Sequence, residues 1–459
     1  MVLGEVLMKK SKGKRIAYRL RNQKKLFRNI RRKINRKVYR RNKRNTYFGD
    51  NNFIGGDYYK IIGHLDNKKF AFPRIVADSK LCKTIVIPEV FSISADAESA
   101  IKLLRDIYTI CRNIKIQEIR FDHSNCTNLG LSASTIMDII VLATKEYREK
   151  QGKPLDFAGD LPRDKYARDI LLASGLPYHL KADSFIQADE SHIERLETIK
   201  GLHDLVANKA GETATKLTLY FNKCLKTQNM ELNNEGTRLF STILGEVISN
   251  CEIHGGKAST WYTQGHYQTK EDNSFGEMQL LFLNLGETIY EGLKNNSSEE
   301  TEHKLHYLIN HHKKYMKSSW DEEMIYTVFA LQEGISRLRD SNINGYEGRG
   351  SGTVSMIEMF YDIGASKNGL KPQMTIVSGN TQIKFTEKYK MKAVVFRDDE
   401  AFGSGEKRII AFNNENDIYI PANPENVIKM NQYFPGTVIS LKFYLDSRYI
   451  SSKKRKENK

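Results

Sequence analysis

Glu246, Asn250 and His254 recur at intervals of four in the stretch Leu244-Gly245-Glu246-Val247-Ile248-Ser249-Asn250-Cys251-Glu252-Ile253-His254-Gly255. At about 100° per residue, that interval aligns a carboxylate, an amide and an imidazole along one edge of a helix. Leu239, Ile243, Val247 and Phe240, Leu244, Ile248 fill the opposite side, and Gly255-Gly256 predicts a left-handed cap directly after His254. An amphipathic helix with a merely solvated polar face fits this stretch equally well, so the rest of the chain decides. Three glycine clusters follow it. Gly286-Glu287-Thr288-Ile289 ends a hydrophobic strand over residues 278–285, and Gly348-Arg349-Gly350-Ser351-Gly352-Thr353 leads into an apolar helix over 354–361. Phe434-Pro435-Gly436-Thr437 precedes an alternating strand over 438–444. Singly, each reads as a turn. Their chemical use would be close approach of the backbone to phosphate, with amide donors and a helix N-terminus aimed at the anion.

The order of the four stretches carries more than any one of them. Glu-x-x-x-Asn-x-x-x-His on a helix, a strand ending in a glycine turn, Gly-x-Gly-x-Gly before a helix, then Gly-Thr before a strand resembles the GHKL ATPase fold. That family joins the nucleotide-binding domains of gyrase, heat-shock chaperones, histidine kinases and MutL. The likeness covers roughly residues 213–446. It implies a mixed sheet backed by helices, with ATP and Mg²⁺ held between them beneath a mobile lid. By that likeness Glu246 acts as general base or orients the attacking group, Asn250 coordinates Mg²⁺ through its carbonyl, and His254 helps to bind phosphate. Gly348, Gly350 and Gly352 let the lid hinge close on the phosphates, with Arg349, Ser351 and Thr353 beside them, and Gly436 and Thr437 line the adenine side. One position departs from the family pattern. The first glycine box normally starts with Asp, which accepts from the adenine amino group; here Asn284 stands there, followed by Leu285-Gly286, and Thr288 replaces the second glycine. An amide oxygen still accepts one such bond.

Charge separates the chain into an arm and a body. Residues 1–45 hold 19 Lys and Arg against the single acid Glu5, a net +18, so residues 46–459 sum to −1. Within the arm, Ile16, Leu20, Phe27, Ile30, Ile34 and Val38 recur at helical steps, giving a thin apolar stripe in a wide cationic surround that includes Arg28, Arg31, Arg32, Lys33, Arg36, Lys37, Arg40 and Arg41. Such a segment suits a phosphate-rich partner, either nucleic acid or an anionic membrane surface; a solvated tail is the plainer alternative. The five cysteines lack the paired spacing of a zinc site and read as buried hydrophobes in a reducing, cytoplasmic setting. No apolar run approaches the roughly 20 residues needed to cross a bilayer.

The elements that must position these groups fall into an α/β plus α+β chain. Residues 46–80 read as a connector. Over 81–185, strands at 84–87, 116–121 and 155–158 alternate with helical periodicity over 97–112, 133–147 and 166–174. This unit resembles a STAS domain, the fold of anti-sigma-factor antagonists, with Ala173-Ser174-Gly175-Leu176 similar to the family's closing motif. The family's phosphoacceptor loop is altered here to Thr127-Asn128-Leu129-Gly130-Leu131-Ser132, and Ser132 and Ser134 read as helix caps. The likeness implies a docking or regulatory unit. Residues 186–212, rich in charge, read as a helical linker, and the GHKL-like sandwich (Bergerat fold) occupies 213–446, with a long lid at 287–347, an insertion at 381–433 and a basic tail at 447–459. His303, His306, His311 and His312 lie among lysines and read as a wet helix face, not a metal site. Two functions remain open at this point: slow ATP hydrolysis or phosphotransfer to Ser, Thr or His, or nucleotide-gated binding without turnover. The expected partners are the nucleotide, a protein docked on the STAS-like unit, nucleic acid or an anionic surface on the arm, and a second copy in a homodimer.

Overall fold

The computed structural model describes residues 54, 56–67, 69–70, 82–180, 190–202, 209–256, 259–269, 275–335, 352–362, 366 and 369–449. It is a mixed α/β structure with separate parallel and antiparallel sheets. The expected connector contains a helix, α1 (Tyr58–Leu65), which buries Ile61, Ile62 and Leu65. Next come strand β1 (Cys82–Val86), the short β2 (Val90–Phe91) and helix α2 (Ala97–Arg112). Asp96 starts α2 by accepting from Ser99 N at 3.0 Å, and Ile101, Leu104, Ile107 and Tyr108 form its buried stripe. Strands β3 (Glu118–Asp122) and β4 (Asn128–Leu129), helix α3 (Leu131–Lys150), strand β5 (Asp156–Asp160) and helices α4 (Lys165–Ser174) and α5 (Leu176–His179) complete the first unit. Its sheet is parallel in the order β1-β3-β5. Gly130, not a serine, occupies the cap position of α3; Ser132 and Ser134 are buried within the helix, against the expectation of caps.

The stretch expected as a helical linker instead contributes strand β6 (Ile193–Leu202). After it come α6 (Lys209–Lys226), α7 (Asn234–His254), β7 (Thr260–Thr269) and β8 (Gly276–Leu285). Helices α8 (Ile289–Asn296), α9 (Glu299–His312), α10 (Glu322–Phe329) and α11 (Gly352–Asp362) precede strands β9 (Gln373–Phe385), β10 (Lys392–Asp399), β11 (Gly403–Ile409) and β12 (Val427–Leu445). Five of these strands form an antiparallel sheet in the order β6-β7-β8-β12-β9, and β10-β11 is a separate hairpin within the expected insertion. The described part of the expected lid is a packed element: Leu293, Leu305, Leu308, Trp320, Met324, Val328 and Phe329 all lie in the core. His312 is buried there too, which corrects the reading of four wet histidines.

The large sheet is covered on both faces, so β7 and β8 are buried along nearly their whole length and lose the polar alternation of a half-exposed strand. Met278, Leu280 and Phe282 of β8 join the core that holds α6, α7 and α11. Leu281, Leu283 and Leu285, pointing the other way, join the core of α2, α3 and the small parallel sheet. On that second face the contacts turn polar toward one end. Gln279 Oε1 accepts from Leu131 N at 2.8 Å, Ser132 Oγ donates to Ser440 Oγ at 2.8 Å, and Gln268 Nε2 donates to Asp169 at 2.8 Å. Among the described residues no helix is long and apolar enough to cross a membrane.

Candidate functional site

Helix α7 begins at Asn233, whose Oδ1 accepts from Gly236 N at 2.7 Å, and it runs without a break through Glu246, Asn250 and the backbone of His254. Its inner side is the apolar set read from the sequence: Phe240, Ile243, Leu244, Val247 and Ile248 are buried, whereas Glu246 and Asn250 are half-buried. Gly256 then takes a φ of +83°, the left-handed stop that the two glycines predict. The His254 side chain lies outside the described residues, as do Gly348, Arg349, Gly350, Ser351 and the arm residues Arg28, Arg31, Arg32, Lys33, Arg36, Lys37, Arg40 and Arg41. Gly352 and Thr353 open α11, which packs against α7.

The end of α7 meets the end of the large sheet. Asn284 and Thr437 are register partners on β8 and β12, and Ser378 of β9 is the next partner of Thr437. Asn284 follows Phe282 by two residues and therefore faces α7. The loop after β8 is pinned on two sides: Glu287 N donates to Gly255 O at 3.0 Å, and Gly286 N donates to Pro435 O at 3.2 Å. This close approach is why glycine is needed. At Gly286 (φ +148°) a Cβ would collide with the Gly255 carbonyl, and at Gly436 (φ +138°) it would collide with the Asn284 carbonyl. Sequence positions up to 182 residues apart, Gly255, Asn284, Gly286, Gly436 and Thr437, are thus neighbours.

Hydroxyls complete the patch. Ser378 Oγ accepts from Ile289 N at 2.8 Å, donates to Gly436 O at 3.2 Å and lies 2.8 Å from Thr437 Oγ1. Thr288 caps α8: its Oγ1 accepts from Glu291 N, and Glu291 accepts in turn from Thr288 N, each at 3.1 Å. Thr288 therefore anchors the helix that follows the glycine turn. Ser259, buried beside Gly255 and Gly286, has an Oγ with no hydrogen-bond partner among the described residues. Ser259 and Ser378 were not singled out by sequence; neither sits in a motif, and only the strand register brings them to the patch. Glu291 also accepts from Tyr433 Oη at 3.0 Å, tying α8 to β12; burial first, and then this carboxylate, raise the phenol's pKa.

The first unit grips the strand that carries Gly436-Thr437. Arg105 donates to Gln432 Oε1 at 2.6 Å, and Asn431 N donates to Glu98 at 3.0 Å, both at the irregular stretch of β12 between Lys429 and Phe434. Among the described residues no group of three or more His, Cys, Asp or Glu could hold a metal ion. A cleft of about 520 Å³ lies at the far end of the sheet, between His192, Gln228, Tyr267 and Arg448, and contains none of the residues singled out by sequence. The arginine in its lining, Arg448, is paired with Asp446 at 3.2 Å. Comparison of the chain with family models, with curated proteins and with solved structures returned no match.

Proposed function

We propose that the chain is a Mg²⁺-dependent ATP-binding protein of the GHKL type, acting as a slow ATPase or as a phosphotransferase toward a protein partner, with a STAS-like first unit that regulates it. One observation carries the reading: Asn284, Thr437 and Ser378 stand in one row facing α7, at the point where Gly255, Gly286 and Gly436 bring three backbone segments together. A flat base needs such a row of donors and acceptors, and the buried hydroxyl of Ser259 adds an unsatisfied one. The donor set fits the expected nucleotide. Asn284 and Thr437 would hold the base and Asn250 would offer its amide oxygen to Mg²⁺, which supplies charge neutralisation of the phosphates when bound. Glu246, half-buried on the same helix row, would hold or take the proton of the attacking group.

Calorimetry with Mg-ATP and Mg-GTP tests the pocket. Asn284→Asp is expected to tighten ATP over GTP by about tenfold, the worth of one better-matched hydrogen bond. Phosphate release from wild type and Glu246→Ala then separates turnover from binding, because equal rates would leave only a nucleotide-gated scaffold. Absence of binding heat with either triphosphate would remove the reading altogether.

A second role rests on the +18 carried by residues 1–45. If the arm neutralises roughly 6 to 10 phosphates, affinity for duplex nucleic acid should fall on the order of 10³ to 10⁵ between about 50 and 200 mM salt. Deleting the arm should abolish that binding, and a deletion variant with an unchanged salt slope rejects the assignment. Uptake by anionic liposomes but not by nucleic acid would move the role to a membrane surface.

A further inference from the structure

Among the described residues, no element covers one face of the small parallel sheet. Register places its outward residues in three rows, Cys82-Glu118-Asp156, Thr84-Arg120-Ala158 and Val86-Asp122-Asp160. Ile85, Ile119 and Phe121 point the other way into the core beneath α2 and α3. Of the outward set, Cys82, Thr84, Val86, Glu118, Arg120 and Asp156 are exposed, Val86 at 60%. Parallel sheets are ordinarily covered on both faces, so an open one marks a surface that something else covers. Its charge is strongly one-sided. Arg120 is paired with Asp160, and Glu118, Asp122 and Asp156 remain as three excess acids around Thr84, Val86 and Ala158.

We propose that this face is the docking surface of the chain's own basic arm, residues 14–41, held in cis. Charge complementarity is the first argument: the arm belongs to a segment of +18, and the face carries a net −3 from Glu118, Asp122, Asp156 and Asp160 against Arg120. The arm's apolar positions Ile16, Leu20, Phe27, Ile30, Ile34 and Val38 recur at helical spacing and would offer a stripe to Val86 and Ala158 on the face. Tether length is the third. Residues 42–53 join the arm to Ile54, and twelve extended residues reach about 40 Å. That reach is about four times the roughly 10 Å that separates the first strand of the sheet from the third. A helix lying along these strands of 5 residues, about 16 Å long, would engage about three turns at once. The arm would then be shared between its own body and any external polyanion, and the two would compete.

Cys82 is a built-in reporter, because it is the exposed cysteine on this face while Cys111, Cys126, Cys224 and Cys251 are buried. Its reaction with a polymer-linked maleimide can be followed in the full chain. At low salt the reaction is expected to be slow, and to accelerate by about tenfold or more at roughly 0.5 M salt, where exposed ion pairs are screened. The Glu118→Lys/Asp156→Lys variant, altered only at exposed positions, should react fast at both salts. Carbodiimide should link arm lysines to Glu118 or Asp156 within one chain. A rate that is the same in wild type and variant at both salts overturns the proposal. So does a mixture of isotopically light and heavy chains in which the links join different copies.

Discussion

His312 uses both ring nitrogens: Trp320 Nε1 donates to Nδ1 at 3.0 Å and Nε2 donates to Ile418 O at 2.9 Å. Only a neutral ring can accept at one nitrogen while donating at the other, and burial lowers its pKa accordingly. Burial drives three more imidazoles, His123, His179 and His266, down to about 4 each. These groups make the protein acid-sensitive in a definite direction. In the unfolded chain a histidine takes up a proton near pH 6.5, whereas in the fold these rings stay neutral to about 4. Their stabilisation is complete above pH 6.5 and is lost as pH falls toward 4, at up to about 1.4 kcal/mol per pH unit for each ring. Asp138 runs the opposite way. It is fully buried, its pKa is raised by burial, and His179 Nε2 at 3.8 Å is beyond hydrogen-bond reach, so the neutral acid is favoured and protonation relieves a cost. Four rings outweigh one carboxyl, and thermal unfolding should shift down on the order of 5 °C between about pH 7 and pH 5. His266→Gln should flatten part of that slope, and a melting temperature that is level across the interval contradicts the assignment.

At the scale of elements, the turn between α3 and β5 is tied to the end of α2 by one side chain that no motif announced. Arg148 is 1% exposed and has no carboxylate partner among the described residues; it donates to the carbonyls of Cys111, Asn113, Ile116, Lys153 and Pro154 at 2.7 to 3.3 Å. Arg148→Met keeps the apolar stem and strands those carbonyls, so a loss of roughly 3 to 5 kcal/mol in chemical denaturation is expected. Arg148→Lys should recover little, since an ammonium cannot reproduce the fork. A loss under about 1 kcal/mol in the Met variant would mean that water satisfies the loop. Arg148 also shows what the sequence made legible. The helix at Ala97–Arg112 is where its periodicity predicts it, because the stripe of Ile101, Leu104, Ile107 and Tyr108 is a local signal. Strand β6 was hidden because Glu194, Glu197 and Lys200 give it a helical composition, while its pairing with β7 is entirely non-local. Each of those charges has a partner: Lys200 donates to Asp57 at 2.6 Å, Glu194 pairs with Lys223, and Glu197 accepts from Tyr178 Oη at 3.1 Å. The row of Asn284, Thr437 and Ser378 was half legible: glycines named two of its segments, but Ser378 carries no signal without the register.

For the whole molecule, the sequence division near residue 200 cuts through a shared structure. The apolar face formed by Tyr262, Leu281, Leu283, Leu285, Val377 and Val438 belongs to the same cluster as Ile101, Leu104, Ile136 and Met137 of the first unit. Removing that unit would expose this face to water, a penalty of about 25 cal/mol for each Å² of apolar surface. The polar half of the interface adds buried groups that would lose their partners, among them Gln264, which donates to Ser174 O at 3.1 Å, and Gln279. The two units should therefore unfold together, even though each has its own sheet. The chain carries separate reporters for the two halves. Both tryptophans, Trp261 and Trp320, lie in the second half, and the buried thiols Cys111 and Cys126, told apart from Cys224 and Cys251 by peptide mapping of the labelled chain, lie in the first. In a urea titration, tryptophan fluorescence and thiol exposure are expected to share one midpoint and one slope. Thiol exposure that precedes the fluorescence change would show that the first unit opens alone, and the grip of Arg105 and Glu98 on β12 could then act as a releasable contact on the strand bearing Gly436 and Thr437.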